Sequence, residues 1–211
     1  MRKYTLILML GLFSIAVIAQ NDPKAKAILD DMSAKYSDIP GFTATFTQSL
    51  ENKMEDFTDT FKGEIVVSGD KFKADVAGQL IVNNNETVWT YLRDANEVTI
   101  NDYDAEAGEM NPSKIYKAYQ EGYKYLYMAG EGNAQYHVID LVPEDKDESF
   151  YKIRLKIDKK TNLLDKWTIF DRAGNIFNYE VTNFKVDNSL TDKDFIFDPS
   201  KYPDIEVLDF R

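Results

Sequence analysis

Few side chains in this sequence could do chemistry, and their spacing argues against catalysis. There is no cysteine and a single histidine, His137. It sits in Tyr136-His-Val-Ile-Asp-Leu, which reads as a strand. A zinc centre built on histidine and cysteine is excluded, and His137 has no second imidazole to work with. No G-x-S-x-G stretch is present, so serine hydrolysis lacks its usual nucleophile turn. Phosphate-cradling loops and dinucleotide fingerprints are missing as well. Two acidic clusters stand in loops: Asp102, Asp104, Glu106 and Glu109, then Glu144, Asp145, Asp147 and Glu148. The first has the oxygen-rich spacing of a calcium loop, but Ala107 stands where the sharp turn needs glycine. Both read as solvated loop charge. Carboxylate pairs for acid–base hydrolysis abound, and nothing selects one pair over another. We expect no enzyme activity, no metal and no cofactor.

Charge narrows the partners. The formal net charge is −11. Arg2 and Lys3 begin an N-terminal segment that is nearly all apolar from Tyr4 to Ile18 and ends in Val17-Ile18-Ala19. This has the parts of a cleavable export signal spanning residues 1–19. It is shorter than the ~20 apolar residues a membrane span needs, and no basic stop-transfer cluster follows. Losing Arg2 and Lys3 takes the mature charge to −13. Such a surface is wrong for nucleic acid and for anionic headgroups. Without cysteine the exported chain has neither disulfides nor a site for bacterial lipid modification, so its core alone must hold it together. Residues 20–211 are enough for one domain with a sizeable core, and no linker divides them.

The elements that must position everything else are strands. A helix is expected from Pro23 to about Tyr36, capped by Asp22, with Ala27, Ile28, Met32 and Tyr36 on its apolar face. Strands follow at Phe42–Thr47, Phe57–Val67, Phe72–Val76, Leu80–Val82, Val88–Tyr91 and Val98–Ile100. Asn83-Asn84-Asn85 supplies a turn tolerant of positive φ. Later come Tyr136–Val142, Tyr151–Asp158, Leu164–Phe170, Ile176–Val186, Phe195–Phe197 and Ile205–Leu208. In Tyr151–Asp158, Ile153, Leu155 and Ile157 alternate with Lys152, Arg154 and Lys156, the pattern of a strand with one wet face. So many strands with short connections predict a meander, and a sheet this large curls or closes. Between them, Asn111-Pro112-Ser-Lys-Ile115-Tyr116-Lys-Ala-Tyr119 reads as a short amphipathic helix with Ile115, Tyr116 and Tyr119 on one face. It either plugs one end of the curled sheet or acts as a movable lid. Thirteen phenylalanines, thirteen tyrosines and two tryptophans suit either a packed interior or a lined cavity.

Several stretches, in order, resemble the periplasmic lipoprotein carrier family LolA. Phe42-Thr-Ala-Thr-Phe46-Thr-Gln48 resembles its opening strand, Gly63-Glu64-Ile65 its glycine–acid–apolar strand, and Phe72 the phenylalanine of the next strand. Val82-Asn-Asn-Asn-Glu-Thr-Val-Trp89-Thr-Tyr91 is similar to its turn and Trp-x-Tyr strand. Pro112 falls where its lid helix begins, and Asp194-Phe195-Ile-Phe197-Asp-Pro199 resembles its Phe-x-Phe-x-Pro segment. The resemblance implies a mainly β fold. It is an unclosed antiparallel β-barrel, a curled half-barrel sheet with an N-terminal helix and a short helical lid over a hydrophobic cavity. It also implies a soluble, monomeric periplasmic carrier of lipoprotein acyl chains. Such a carrier is loaded by an ATP-driven inner-membrane complex and unloaded at the outer membrane. Phe72 is expected on the cavity wall from the motif match. Phe46, Ile65, Ile81, Trp89, Leu155 and Trp167 are expected there from strand parity, with Ile115, Tyr116 and Tyr119 as the lid face. The turn Ser68-Gly69-Asp70 lacks the arginine that holds the lid closed in well-studied members. That departure keeps open a carrier of another amphiphile, such as a glycolipid or pigment-like lipid. Related folds that serve as envelope sensors keep open a sensor or binding module on the same fold.

Overall fold

A computed structural model describes residues 22–52, 54–55, 57–104 and 116–211. One helix, α1 (Pro23–Ser37), precedes twelve strands. These are β1 (Phe42–Asn52), β2 (Phe57–Ser68), β3 (Lys71–Val76), β4 (Gln79–Asn83), β5 (Thr87–Leu92) and β6 (Glu97–Asp102). After them run β7 (Tyr123–Tyr127), β8 (Tyr136–Pro143), β9 (Phe150–Asp158), β10 (Leu164–Asp171), β11 (Asn175–Val186) and β12 (Glu206–Asp209). All twelve form one sheet in the order β12-β6-β5-β4-β3-β2-β1-β11-β10-β9-β8-β7. Its two edges, β12 and β7, do not pair with each other, so the half-barrel stays open. The mainly β, unclosed architecture agrees with the sequence reading.

The order has a simple logic. β1–β6 and β7–β11 are two meanders of neighbouring antiparallel strands, and they join along β1 and β11. That seam is long, pairing Phe42 with Val186 at one end and Asn52 with Asn175 at the other, with a register shift between Thr43 and Thr45. Turn chemistry matches the chain. Asn83 Oδ1 accepts from Asn85 N–H at 2.7 Å, and Asn85 takes φ 76°. In the β3–β4 hairpin Ala77 and Gly78 both have positive φ, the geometry whose twist suits a two-residue loop.

Three details differ from the sequence reading. β7 was not foreseen, although Tyr123, Tyr125 and Tyr127 alternate with Lys124 and Leu126. Phe195-Ile-Phe197 is not a strand: Asp192–Phe195 is a single 3-10 turn. The alternation there has another cause, since Phe195 and Phe197 are buried while Ile196 is 54% exposed. On α1 the buried stripe is Ala25, Leu29, Met32 and Tyr36. Ala27 faces solvent, because Ala25, Leu29, Met32 and Tyr36 follow the helical repeat and Ala27 does not.

The helix is fixed at both ends. Asp22 Oδ1 accepts from Lys24 N–H at 2.8 Å and Ala25 N–H at 3.3 Å, and Pro23 fills the first helical position. The other oxygen of Asp22 accepts from Tyr127 N–H at 3.1 Å on β7. One carboxylate thus caps α1 and ties it to the sheet edge. At the far end the Tyr36 hydroxyl accepts from Leu164 N–H at 3.3 Å, and burial pushes its pKa up to about 12. Between these points α1 fills the concave face of β8–β10, where Ile139, Leu141, Ile153, Leu155 and Ile157 are fully buried. The opposite face of the same strands is polar. There Asp140 accepts a bidentate pair from Arg154 at 2.6 and 2.8 Å, and Glu131 also pairs with Arg154.

Asp22→Ala is expected to cost about 1–2 kcal/mol, a capping loss plus the tie to β7. The Tyr127 amide, followed by the two helix amides, holds the Asp22 carboxyl below its usual pKa. Its contribution is therefore present above the ordinary carboxylate range and lost as pH falls through the lowered value. Denaturant melts of wild type and variant should differ near neutrality and converge in acid.

Candidate functional site

The helix covers the β7–β10 half of the concave face. The other half, on β1–β5, is left as a cavity of about 480 Å³, within the ~300–1,000 Å³ usual for small-molecule sites. Register explains its walls. Phe42, Ala44 and Phe46 on β1 stand opposite Val67, Ile65 and Gly63 on β2. Phe72 and Ala74 on β3 stand opposite Asn83 and Ile81 on β4, followed by Val88 and Thr90 on β5. Trp167, Tyr179, Val181 and Phe184 complete the wall from β10 and β11, with Tyr36 of α1 and Tyr116 across it. Among the described residues that line it there is no Asp, Glu, Lys or Arg.

Glycine shapes this wall at one point. Phe46 pairs with Gly63 across the β1–β2 register, and its ring occupies the space a side chain would take. A Cβ on Gly63 would collide with the Phe46 ring and lie 2.9 Å from the Asp75 carbonyl oxygen. The absent side chain lets the ring lie flat against the sheet instead of standing across the cavity.

Phe46, Ile65, Phe72, Ile81 and Trp167 lie together on the cavity wall. Trp89 and Leu155 do not. Trp89 shares a strand with Val88 and Thr90 but has the opposite parity, so it faces the other side of the sheet. There it packs with Val82, Tyr91 and Val98 beneath Phe195, Phe197 and Tyr202 of the C-terminal segment. Tyr91 and Tyr202 approach to 4.5 Å between ring centroids, and Phe197 stacks on Tyr202 at 4.9 Å. Leu155 is on the concave side, directly opposite Trp167, but beneath α1, where the space is filled.

The predicted lid is described only in part, because Ile115 and the expected helix start at Pro112 lie outside the described residues. Tyr116 lines the cavity and stacks on Tyr36, with centroids 4.8 Å apart and planes 11° from parallel. Tyr119, in a 3-10 turn at Ala118–Gln120, is buried under α1 and not on the cavity wall. Its hydroxyl donates to Asp30 Oδ1 at 2.8 Å. Burial, then the Asp30 carboxylate, pushes its pKa up. A second hollow of about 290 Å³ shares Tyr36, Phe42 and Tyr116 with the first and extends to Gly69, Asp70 and Lys117. The Tyr36–Tyr116 stack thus stands between the two. Sequence reasoning missed Tyr36 as a wall residue; its place at the end of the α1 stripe was the available signal. His137 is half-buried beside the Tyr127 hydroxyl at 3.2 Å, and burial lowers its pKa.

A curled open sheet, half filled by one helix and half left as a cavity whose described lining carries no charge, defines a carrier-type lipid-binding fold. The sequence signature described as "Outer membrane lipoprotein carrier protein LolA" matches residues 37–198, and the chain belongs to that family. Similar curated proteins are the outer-membrane lipoprotein carrier proteins of Legionella pneumophila strains Corby and Lens. They are 25% and 24% identical over 209 residues, covering 97% of this chain and 98% of each relative. Among solved structures, an uncharacterised conserved protein from Thermus thermophilus superposes with a TM-score of 0.58 at 17% identity. That match covers 88% of this chain and 99% of the other. A LolA superfamily protein from Nitrosomonas europaea gives 0.45 at 13% identity, covering 82% and 97%. Members of the family are carriers rather than enzymes. Among the described residues no helix is long and apolar enough to cross a membrane, and no group of three or more His, Asp or Glu is placed to hold a metal.

Gly63→Ala is expected to push the Phe46 ring into the cavity and cost about 1–3 kcal/mol. Denaturant unfolding would show the loss, and a fluorescent apolar probe would bind less. Tyr116→Ala removes the stack on Tyr36 and should speed probe exchange in stopped-flow measurements, with little change in the sheet's circular dichroism.

Proposed function

We propose that the chain is exported, loses residues 1–19 and serves as a soluble monomeric carrier in the periplasm. In this reading it encloses the acyl chains of lipoproteins between the inner and the outer membrane. An ATP-driven complex in the inner membrane hands the cargo over, and an acceptor at the outer membrane takes it. The observation that carries the reading is the cavity: about 480 Å³ lined, among the described residues, without a charged side chain, in a chain of the LolA family. The name shared by the Legionella relatives supports the same cargo.

The energetics suit such a task. Each methylene taken from water contributes ~0.8 kcal/mol, so long acyl chains need enclosure to travel through an aqueous space. Release into a membrane returns them to a similar environment, which leaves only local contacts to decide the direction. Aromatic pairs such as Tyr36–Tyr116 contribute on the order of 1 kcal/mol beyond their burial, a scale that thermal motion can overcome. The acidic surface, with net charge −11 for the whole sequence, keeps such a body from lingering on anionic headgroups.

Native mass spectrometry of gently purified protein should reveal a bound mass matching an acylated peptide. Phe72→Glu places a carboxylate among Ala74, Ile81 and Val88. It is expected to remove that mass while the circular dichroism of the sheet persists. Wild-type protein carrying only free amphiphiles would overturn lipoprotein as the cargo, and a Phe72→Glu protein that keeps its guest would overturn the site.

A further inference from the structure

One residue that lines the cavity carries a buried polar atom with no partner among the described residues. Trp167 Nε1–H is shielded from solvent and has no hydrogen-bond acceptor among the described residues. Buried indole N–H groups usually find an acceptor, and an unmet buried donor is destabilising. The Trp167 ring stacks on Tyr179, centroids 4.7 Å apart and planes 7° from parallel. Tyr179 in turn registers opposite Gln48. Trp167, Tyr179 and Gln48 thus form one row across β10, β11 and β1, and all three line the cavity. Along β1 the row follows Phe42, Ala44 and Phe46, so it stands at one end of a wall that is mainly apolar, with Gln79, Asn83 and Thr90 as further neutral polar residues. It brings an indole N–H, a hydroxyl and an amide, and no charge.

Resting on the carrier reading above, we propose that this row recognises the carbonyl oxygen of an ester- or amide-linked acyl chain. Trp167 Nε1–H is the specificity-determining donor. A pure hydrocarbon offers no acceptor, so it would leave the indole unmet. A free carboxylate offers one but brings a charge, and the described residues of the wall include no lysine or arginine to compensate it. A neutral carbonyl with attached tails fits both halves of the wall. The linkage lies at the Gln48 end, and the tails run toward Phe72 and Val88. As the guest spreads along the wall it parts the indole from the side chains that shield it, and its oxygen takes the proton donor.

The test uses two probes that differ only in the carbonyl: dioctanoylglycerol and its diether analogue dioctylglycerol. Both are titrated by competition against a fluorescent apolar dye. Wild-type protein should prefer the ester about three- to tenfold, the value of one net hydrogen bond. Trp167→Phe keeps an aromatic face on Tyr179 and removes the N–H. It should lose the preference for the ester, read as the ratio of the two affinities within the variant. Equal affinity of wild type for both probes, or a preference that survives in Trp167→Phe, overturns the carbonyl assignment and leaves the carrier reading standing. Failure of both probes to displace the dye overturns the assignment together with the cavity reading on which it rests.

Discussion

The structure depends on how far one helix can reach across a concave sheet. Fifteen residues of α1 cover β7–β10, and Tyr36 at its end touches Phe42 on β1 and Phe184 on β11. Two anchors set where that cover stops: the Asp22 carboxylate on the Tyr127 amide at one end, and the Tyr36 hydroxyl on the Leu164 amide at the other. On the covered side the apolar residues of the strands meet Leu29 and Met32 and pack solid. On the uncovered side residues of the same kind meet no partner element and remain a wall. Cavity and core are thus one apolar surface, divided by the length and placement of a single element. A longer or differently anchored helix would turn the hollow into ordinary interior.

This division explains what could be read from the sequence. Alternation and turn residues are local, so most strands, the Asn83–Asn85 turn and the Asp22-capped helix were legible. Phe46, Ile65, Phe72 and Ile81 were legible as a common face because register carries parity across neighbouring strands. Leu155 has the right parity too, and nothing nearby in sequence says that α1 lies on it. Trp89 misled for another reason. The outer face of β4–β6 is also apolar, because Phe195, Phe197 and Tyr202 return from the C-terminus to cover it. A sheet greasy on both sides hides which side is hollow. The same returning segment accounts for Phe195-Ile-Phe197, whose alternation serves packing on a sheet rather than pairing within one.

An uncharged wall suits cargo with long tails, because any fixed charge there would need a partner or carry a desolvation cost. Among the described residues the wall's polar character comes from neutral side chains with modest demands, such as Gln48, Gln79, Asn83, Thr90, Trp167 and Tyr179. Asn83 is almost fully buried and spends its side-chain oxygen on the turn that follows it. The charged groups of β8–β10 instead face outward, in the Asp140–Arg154–Glu131 cluster and the Lys156–Asp165 pair at 2.8 Å. Inside and outside are sorted strand by strand through the two-residue repeat.

The seam between β1 and β11 has a kinetic consequence. Each meander can assemble from contacts between neighbours in the chain, whereas the seam joins segments more than a hundred positions apart. Closing so long a loop is slow relative to hairpin formation. The hollow takes Phe46, Ile65, Phe72 and Ile81 from the first meander, and Trp167, Tyr179, Val181 and Phe184 from the second. During maturation the greasy surfaces of both halves therefore stand bare until that last zipper shuts. The ability to shelter a guest is acquired in the same step that ends the molecule's own exposure to aggregation.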